Sequence, residues 1–319
     1  MQSLRAMAGA YTHITLINTA SQRKLLEKRD PELLGELARI LSAYKHFADA
    51  GSLGPDYPYL VKIYPGAKEW ADRMHYSLTS GVIKEGIKII KRMQPGEDKE
   101  KCTAWLFGYA SHFAADLTIH PVVELHVGRY KDSKENQASH LWCEMNQDVF
   151  ILPRLDLTVE ASEYLESSIK DCGLVFDGTI VNFWNDILKQ NYPEEYRKSP
   201  PDIRIWHTGY CSILDGSSGP GELKFMGRHL IAAALGQKIY PSLKDVEYKY
   251  IENLPTPCGS RIHFNDLFDR AVSNTIDIWV IMAKAIWNND ESYKYKLIDC
   301  NLDTGEVAPG EIFFWEKRT

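Results

Sequence analysis

The chain has 319 residues, of which 44% are hydrophobic and 25% are charged, and its formal net charge is −6. This length suffices for one large domain or two ordinary ones, and the composition is that of a soluble globular protein. The negative net charge gives no reason to expect that the electrostatic potential of the whole protein attracts nucleic acid or anionic membranes.

The first thirty residues show no recognisable signal peptide, and no apolar run reaches the roughly 18–20 residues that a membrane-spanning helix needs. The six cysteines are scattered and form no CxxC pair, so reduced thiols are expected. We therefore expect a cytoplasmic protein without a transmembrane segment, and export by a route that needs no signal peptide stays open.

Apolar residues recur at helical spacing along most of the chain, which predicts a mostly helical fold. The predicted helices cover residues 14–28, 31–49, 66–93, 98–120, 134–150, 158–168, 178–189, 222–236 and 265–288. The stretch 189–221 is rich in Pro, Gly and Ser and is predicted to be loop for much of its length. A second irregular segment is predicted over about 240–264.

The C-terminal residues change character, because residues alternate around the sequence DTGE at 303–306. Such a pattern predicts a two-stranded hairpin with its turn at DTGE. We expect a single all-α domain over residues 1–290, with a small β-hairpin appendage over 291–319.

Side chains that bind metals cluster in the segment GYASHFAADLTIHP, residues 108–121. His112, Asp116 and His120 follow one another at steps of four, so they share one face of a predicted helix. His140 and Glu144 repeat this step on a second helix, and two packed helices can direct five ligands into one cleft. Pro121 is expected to end or kink the first helix at His120.

The residue types in this cluster are those that Zn²⁺ accepts, and a bridging carboxylate such as Asp116 suits a two-metal centre. A lone His-x3-Asp pair on a helix is more often a surface pair or a core contact. Three earlier segments add His13, Asp56 in a Gly/Pro-bracketed loop, and His75 after Trp70, and they favour the metal interpretation.

The ordered set of these motifs resembles the zinc-dependent phospholipase C family, which is related to the P1/S1 nucleases. The set is Thr12-His13, Pro55-Asp56, Trp70 with His75, His112-x3-Asp116-x3-His120 and His140-x3-Glu144. It extends over about residues 8–150, and the order is far more specific than any single motif. The short Asp-x3-His step resembles the branch that contains the catalytic domain of glycosylphosphatidylinositol phospholipase D.

The resemblance implies an all-α fold of the phospholipase C/P1 nuclease type, with two to three zinc ions at the bottom of a cleft. The implied ligands of the first ion are Asp56, His75, His112 and Asp116. The implied ligands of the second ion are His120, His140 and Glu144. A third ion would be held by His13 and Asp116 with the amine and carbonyl of a processed N-terminus. Ala8 would supply these backbone groups if the chain started at Met7 and lost that methionine.

The leading functional hypothesis is a zinc-dependent phosphodiesterase or phospholipase C, in which a hydroxide bridging two ions at Asp116 attacks phosphorus. Asp56 is implied by the resemblance as a general base besides its role as a ligand. One alternative is a single-strand nuclease or nucleotide phosphodiesterase of the P1 type. Another is a non-catalytic, zinc-stabilised interaction protein that binds a partner through residues 150–319.

The substrate is expected to be a phospholipid or another phosphodiester, with nucleic acid less favoured because the chain is acidic. A glycerophospholipid, a phosphoinositide, a nucleotide and a lipid-linked phosphodiester all stay open. Transient contact with a membrane surface would require an exposed apolar loop, and LGPDYPYLVKIYP, residues 53–65, is the candidate. Burial of that segment in the core is its alternative.

Overall fold

The computed structural model describes residues 9–61, 64–157, 159, 161–217 and 240–315. In these ranges the chain is built from α-helices, with two short antiparallel strand pairs. The all-α fold class predicted from the sequence is confirmed. The helices, numbered α1 to α15 in chain order, are Ala10–Ala20, Arg23–Arg29, Pro31–Ala43, Lys45–Ser52, Tyr57–Leu60, Ala67–Tyr76, Thr79–Arg92, Glu97–Val127, Lys134–Ile151, Ala161–Lys170, Gly178–Asn191, Pro193–Lys198, Ile203–Ser217, Phe264–Trp287 and Tyr293–Lys296.

Helix α8 runs through the centre of the molecule and is buried along most of its length. A helix that is buried on all sides needs small or apolar residues all round, and α8 has them between Cys102 and Val123. It packs against α4 on one side and α14 on another. The indole of Trp279 on α14 donates to the carbonyl oxygen of Phe107, which ties the two helices together.

Pro121 was expected to end or kink helix α8 at His120, and the predicted end is wrong. The helix continues through Pro121 to Val127. A proline inside a helix leaves carbonyl groups in the preceding turn without their usual partners. The indole of Trp315 donates to the carbonyl oxygen of Thr118 at 3.1 Å, and this contact satisfies one acceptor in the turn that the proline disturbs.

Helices α4 and α8 approach each other closely because glycine faces the partner helix on both sides. A Cβ atom at Gly51 would overlap the carbonyl oxygen of Trp105, and one at Gly108 would overlap the carbonyl oxygen of Ala48. The close approach brings the carboxyl end of α4, and the turn Gly54–Asp56 that follows it, to the middle of α8.

Several predicted helices are split in the structure. The predicted helix 14–28 is interrupted after Ala20, 31–49 after Ala43, and 66–93 after Tyr76. Leu78, between α6 and α7, adopts a left-handed conformation with φ of 49°, which a continuous helix does not allow. The predicted helix 222–236 lies outside the described residues.

The predicted loop at 189–221 is wrong for most of its length, because α12 and α13 lie within it. Pro193 occupies the first turn of α12, where a missing N–H costs nothing. Before α13 the side chain of Asp202 accepts the backbone N–H of Ile205, as a helix N-cap does. Pro193 therefore starts a helix, and Pro200 and Pro201 come just before the N-cap of the next helix.

The strand pairs are short and both are antiparallel. In the first pair, Leu254–Pro255 (β1) aligns with Arg261–Ile262 (β2), within the segment predicted to be irregular. The second pair, Glu306–Ala308 (β3) with Glu311–Ile312 (β4), is the C-terminal hairpin, which confirms that prediction. Its turn is Pro309-Gly310 and not DTGE, whose last residue, Glu306, is the first residue of β3. The domain boundary at residue 290 stays a prediction.

The segment 53–65 is largely part of the core where the structure describes its side chains. Leu53, Tyr57, Tyr59 and Val61 are buried, whereas Tyr64 is exposed. This burial favours the core alternative over an apolar membrane loop. Among the described residues, no helix has the length and apolar character needed to cross a membrane.

Candidate metal centre

The centre is built around the stripe of side chains on α8. His112 Nε2 lies 3.1 Å from Asp116 Oδ2, and His120 Nε2 lies 3.6 Å from Asp116 Oδ1. All three residues are largely buried, with 1–14% of each side chain exposed. The four-residue steps thus place the three side chains on one face, as the sequence predicted.

Two further histidines reach Asp116 from other helices. His13 on α1 places Nε2 3.3 Å from Asp116 Oδ1, and His75 on α6 places Nε2 3.9 Å from Oδ2. Asp116 thus lies within ion-pair distance of four imidazoles, yet neither of its oxygens accepts a hydrogen bond from the described residues. Buried carboxylates normally have a partner, so this one is free to bind a metal ion.

Asp56 joins the centre from the turn after α4. Its Oδ1 lies 3.3 Å from His75 Nε2, and 18% of its side chain is exposed. The turn begins at Gly54, whose missing side chain leaves room for the rings of Trp105 and Tyr109. Asp56 is therefore presented from a fixed backbone, as the Gly/Pro-bracketed sequence predicted.

A second group lies one turn further along α8. Glu144 Oε1 lies 3.1 Å from His120 Nε2 and 3.1 Å from His140 Nε2. His140 and Glu144 are one turn apart on α9, which packs against α8. This group and the Asp116 group adjoin at His120, which approaches both carboxylates.

Backbone carbonyl groups orient three of the histidines. His75 Nδ1 lies 2.8 Å from the oxygen of Ala71, His112 Nδ1 2.9 Å from that of Ser52, and His120 Nδ1 3.1 Å from that of Leu302. A carbonyl oxygen can only accept, so each Nδ1 carries a proton and each Nε2 is the nitrogen that faces the centre. This is the arrangement in which a histidine binds a metal.

The first turn of α1 is held beside the centre by Asp148. Its carboxylate accepts the backbone N–H groups of Gly9 and Thr12 at 2.9 and 2.7 Å, and the hydroxyl of Tyr240 at 2.8 Å. Burial raises the pKa of Asp148 to about 7. On the same α1 turn, the ring of His13 stacks on that of His112, with their centroids 4.1 Å apart.

The electrostatics of the centre reflect opposite charges packed together in a buried site. Burial and the charge of His112 lower the pKa of His13 to about 4. Burial also acts on His120, but the carboxylates of Asp116 and Glu144 outweigh it and raise its pKa to about 10. The same imidazoles hold the pKa values of Asp116 and Glu144 below their usual range, against the effect of burial.

The donor set fits zinc. Three groups of side chains can each bring their ligand atoms within 4.8 Å of one another, namely His13/Asp56/His112, His75/His112/Asp116 and His120/His140/Glu144. The set mixes imidazole nitrogen with carboxylate oxygen, as zinc sites do. A cavity of about 20 Å³ lies among them, lined in part by His13, Asp116, His120 and Glu144, and it has room for about one water-sized species.

All eight residues predicted as ligands are thus brought together, and their binding of zinc stays a prediction. His13 and Asp116, the implied side-chain ligands of a third ion, lie 3.3 Å apart, and His13 is also grouped with Asp56 and His112. Ala8, the conditional backbone ligand, lies outside the described residues. The two residues predicted to be catalytic differ in exposure, since Asp116 is almost completely buried and Asp56 is not.

Sequence reasoning missed three residues that hold this centre in place. Asp148 continues the stripe of His140 and Glu144 at another step of four, so helical spacing could have indicated it. Leu302 and Asp303 reach His120 from the C-terminal segment. They lie about 180 residues away in sequence and carry no local signal of this contact.

A model of the family described as zinc dependent phospholipase C matches residues 12–198. The match includes all eight candidate ligands and extends over more than half of the chain. No curated protein and no solved structure shows a significant match. Leu302 and Asp303 lie beyond the matched residues.

Proposed function

The chain belongs to the zinc-dependent phospholipase C family, and we propose that it is a zinc-dependent hydrolase of phosphodiester bonds, with phospholipids as the leading substrate class. The family supports a phospholipase C-like or phosphodiesterase reaction. The environment of Asp116 carries the proposal for this chain, because its buried carboxylate is surrounded by imidazoles and accepts no hydrogen bond from the described residues. A carboxylate with imidazoles beside both of its oxygens is suited to bridging two metal ions.

The eight candidate residues would bind two to three zinc ions. The proposed ligands of one ion are Asp56, His75, His112 and Asp116. The proposed ligands of a second ion are His120, His140 and Glu144. His13 and Asp116 would contribute to a third. The absence of cysteine from this set favours a catalytic over a purely structural centre, because cysteine dominates closed structural zinc sites.

Bound zinc would lower the pKa of a coordinated water and neutralise charge on the phosphoryl oxygens. We assign the roles of the candidate carboxylates from the exposed fraction of each side chain. Asp56, with 18% of its side chain exposed, is more accessible than Glu144 at 9% and Asp116 at 2%. We assign to Asp56 the acceptance of the proton from the attacking water, because a general base must reach that water.

Asp116 is too deeply buried to contact a substrate and would act as a metal ligand. His120, with 14% of its side chain exposed, is the second most accessible ligand. Asp56 and His120 are therefore the two ligands that a phosphodiester would reach most readily. Nearby buried side chains exclude bulk water, which strengthens electrostatic interactions with the phosphoryl group.

The test is elemental analysis of protein purified without chelator or a His tag, followed by hydrolysis assays. Three probes distinguish the substrate classes: bis(p-nitrophenyl) phosphate, phosphatidylcholine in mixed micelles, and a single-stranded oligonucleotide. Asp116→Asn keeps the shape of the side chain but removes its charge, and Asp132→Asn changes an exposed aspartate as the matched control.

We expect two to three zinc ions per chain, hydrolysis of the phospholipid, and loss of activity in Asp116→Asn but not in Asp132→Asn. Cleavage of the oligonucleotide alone would replace the phospholipase proposal by the nuclease alternative. Protein that binds no zinc after zinc is added back, or Asp116→Asn with full turnover, would refute the proposal.

A further inference from the structure

The backbone of Leu302 connects the two groups of candidate ligands. Its N–H donates to the carbonyl oxygen of His75 at 3.0 Å. Its own carbonyl oxygen accepts the Nδ1 proton of His120 at 3.1 Å. His75 lies with Asp116 and His112, whereas His120 lies with His140 and Glu144. Leu302 therefore binds the backbone of His75 in one group and the side chain of His120 in the other.

The next residue strengthens the same connection. Asp303 is 1% exposed, and its Oδ2 accepts the hydroxyl of Tyr76 at 2.7 Å. Its Oδ1 lies 4.0 Å from His120 Nδ1. The negative charge of Asp303 on this side of the ring favours a proton on Nδ1, because it attracts the positive end of the N–H group.

The segment that carries these residues is pressed against α8. Gly305 has φ of +69°, and a Cβ atom there would lie 2.8 Å from Pro121 Cγ and 3.2 Å from the carbonyl oxygen of Leu117. Real Cβ atoms do not approach other atoms within 3.0 Å. Any side chain at residue 305 therefore overlaps Pro121 and also Ile312 Cγ2, which lies at 2.8 Å, so that the segment or these neighbours must shift.

We propose that residues 301–305 form a positioning segment of the metal centre, which sets the orientation and the Nδ1 proton of His120. The inference rests on the proposed function, since it assigns these residues a role at the same centre. It extends that function beyond residues 12–198, the part matched by the family. His75 and His112 take their carbonyl partners from within that part, at Ala71 and Ser52, but His120 does not.

The physical consequence concerns which nitrogen of His120 can bind metal. While Nδ1 donates to the Leu302 carbonyl, Nε2 is the nitrogen that faces the centre and lies 3.1 Å from Glu144 Oε1. Without that acceptor the ring can rotate and turn Nε2 away from the centre. Loss of such an outer hydrogen bond lowers metal affinity by about ten- to hundredfold.

The experiment compares alanine substitutions at two glycines, one in the positioning segment (Gly305) and one in the turn of the adjacent hairpin (Gly310). Gly305→Ala introduces a left-handed alanine that overlaps Pro121. Gly310→Ala introduces the same kind of backbone strain at φ of +85°, but no atom lies within 4 Å of its Cβ. Zinc affinity is measured in each variant by chelator competition, at matched folded fraction by circular dichroism. We expect Gly305→Ala to lose about tenfold or more in affinity at one site and Gly310→Ala to match the parent protein.

A second pair of variants leaves the backbone unchanged, in case Gly305→Ala does not fold. Asp303→Ala removes the carboxylate beside His120, and Glu311→Ala removes an exposed carboxylate of the same hairpin. In addition, ¹⁵N-histidine NMR of the metal-free protein reports the Nδ1 proton of His120, assigned with His120→Asn. We expect a protected Nδ1 proton in the parent protein and in Glu311→Ala, and rapid exchange of that proton in Asp303→Ala.

The outcomes separate this inference from the proposed function. If the parent protein binds zinc and Gly305→Ala and Asp303→Ala retain its affinity and the protected proton, the positioning role is overturned while the function stands. If the parent protein binds no zinc, the proposed function fails. In that case the His120 signal still decides whether residues 301–305 orient the ring.

Discussion

The Nδ1 atom of His112 lies 2.9 Å from the carbonyl oxygen of Ser52, so a candidate ligand on α8 is oriented by the last residue of α4. The contact depends on how closely the two helices pack. Gly51, next to Ser52, faces Trp105, and Gly108, one turn before His112, faces Ala48. The packing of two glycines thus determines the direction of an imidazole ring.

Gly51→Ala is therefore expected to destabilise the protein by about 1–3 kcal/mol, because the new methyl group overlaps the backbone of Trp105. It should also weaken zinc binding, since α4 can relieve the overlap only by moving Ser52 away from His112. Urea unfolding and chelator competition measure the two effects. Gly35→Ala in α3, where no atom lies within 4 Å of the added Cβ, is the control and should gain up to about 1 kcal/mol. Equal stability of the two variants would contradict the account.

Asp148→Ala should destabilise the first turn of α1, because the buried N–H groups of Gly9 and Thr12 then lack their acceptor. An unsatisfied buried donor costs about 1–3 kcal/mol. Tyr240→Phe removes only one donor to the same carboxylate and is expected to cost less. Urea unfolding of the metal-free proteins compares the two variants. A smaller loss in Asp148→Ala than in Tyr240→Phe would show that Asp148 does not hold the turn.

The sequence predicted the helical fold because apolar spacing reports burial, and burial dominates this structure. It failed where a local signal has two meanings. Proline ends a helix when it comes late and starts one when it comes first, as in Pro193 of α12. Pro121 lies inside α8, and Trp315, far along the chain, donates to the carbonyl oxygen of Thr118 in the preceding turn; no local pattern contains that contact.

The candidate centre was predictable where its ligands repeat at helical steps. The four-residue spacing alone predicts a shared helix face for His112, Asp116 and His120 on α8, and another for His140 and Glu144 on α9. His13, Asp56 and His75 were placed by the ordered resemblance. The contacts that orient the rings were not predictable, because Ser52 and Leu302 use backbone carbonyls, which every residue possesses.

Removal of zinc is expected to lower the melting temperature reversibly. Without metal, the centre keeps the carboxylates of Asp56, Asp116 and Glu144 among largely buried imidazoles. A ligand that binds only the folded state at a hundred times its Kd adds about 2.7 kcal/mol per site. Calorimetry of protein dialysed against a chelator, before and after zinc is restored, measures the change. An unchanged melting temperature would contradict zinc binding at this centre.

The thiol of Cys258 should be the most reactive of the six cysteines near neutral pH. Hydrogen bonds with Ser260 and Thr256 lower its pKa to about 7, whereas burial raises the pKa values of Cys102, Cys143 and others. Cys258 is exposed and the other five are buried. The thiolate is the reactive form of cysteine, and with this lowered pKa it predominates above about pH 7. The rate of alkylation by iodoacetamide should therefore rise between pH 6 and pH 8 and then level off.

Mass spectrometry of labelled peptides measures this profile, and Cys258→Ser should remove the fast phase completely. Ser260→Ala tests the cause, since it removes a hydroxyl 3.3 Å from the sulfur and should shift the midpoint to higher pH. Five slowly reacting thiols would remain in both cases. Fast labelling at a buried cysteine, or a midpoint near the ordinary thiol value of about 8.5, would show that the turn at Thr256–Ser260 does not activate this residue.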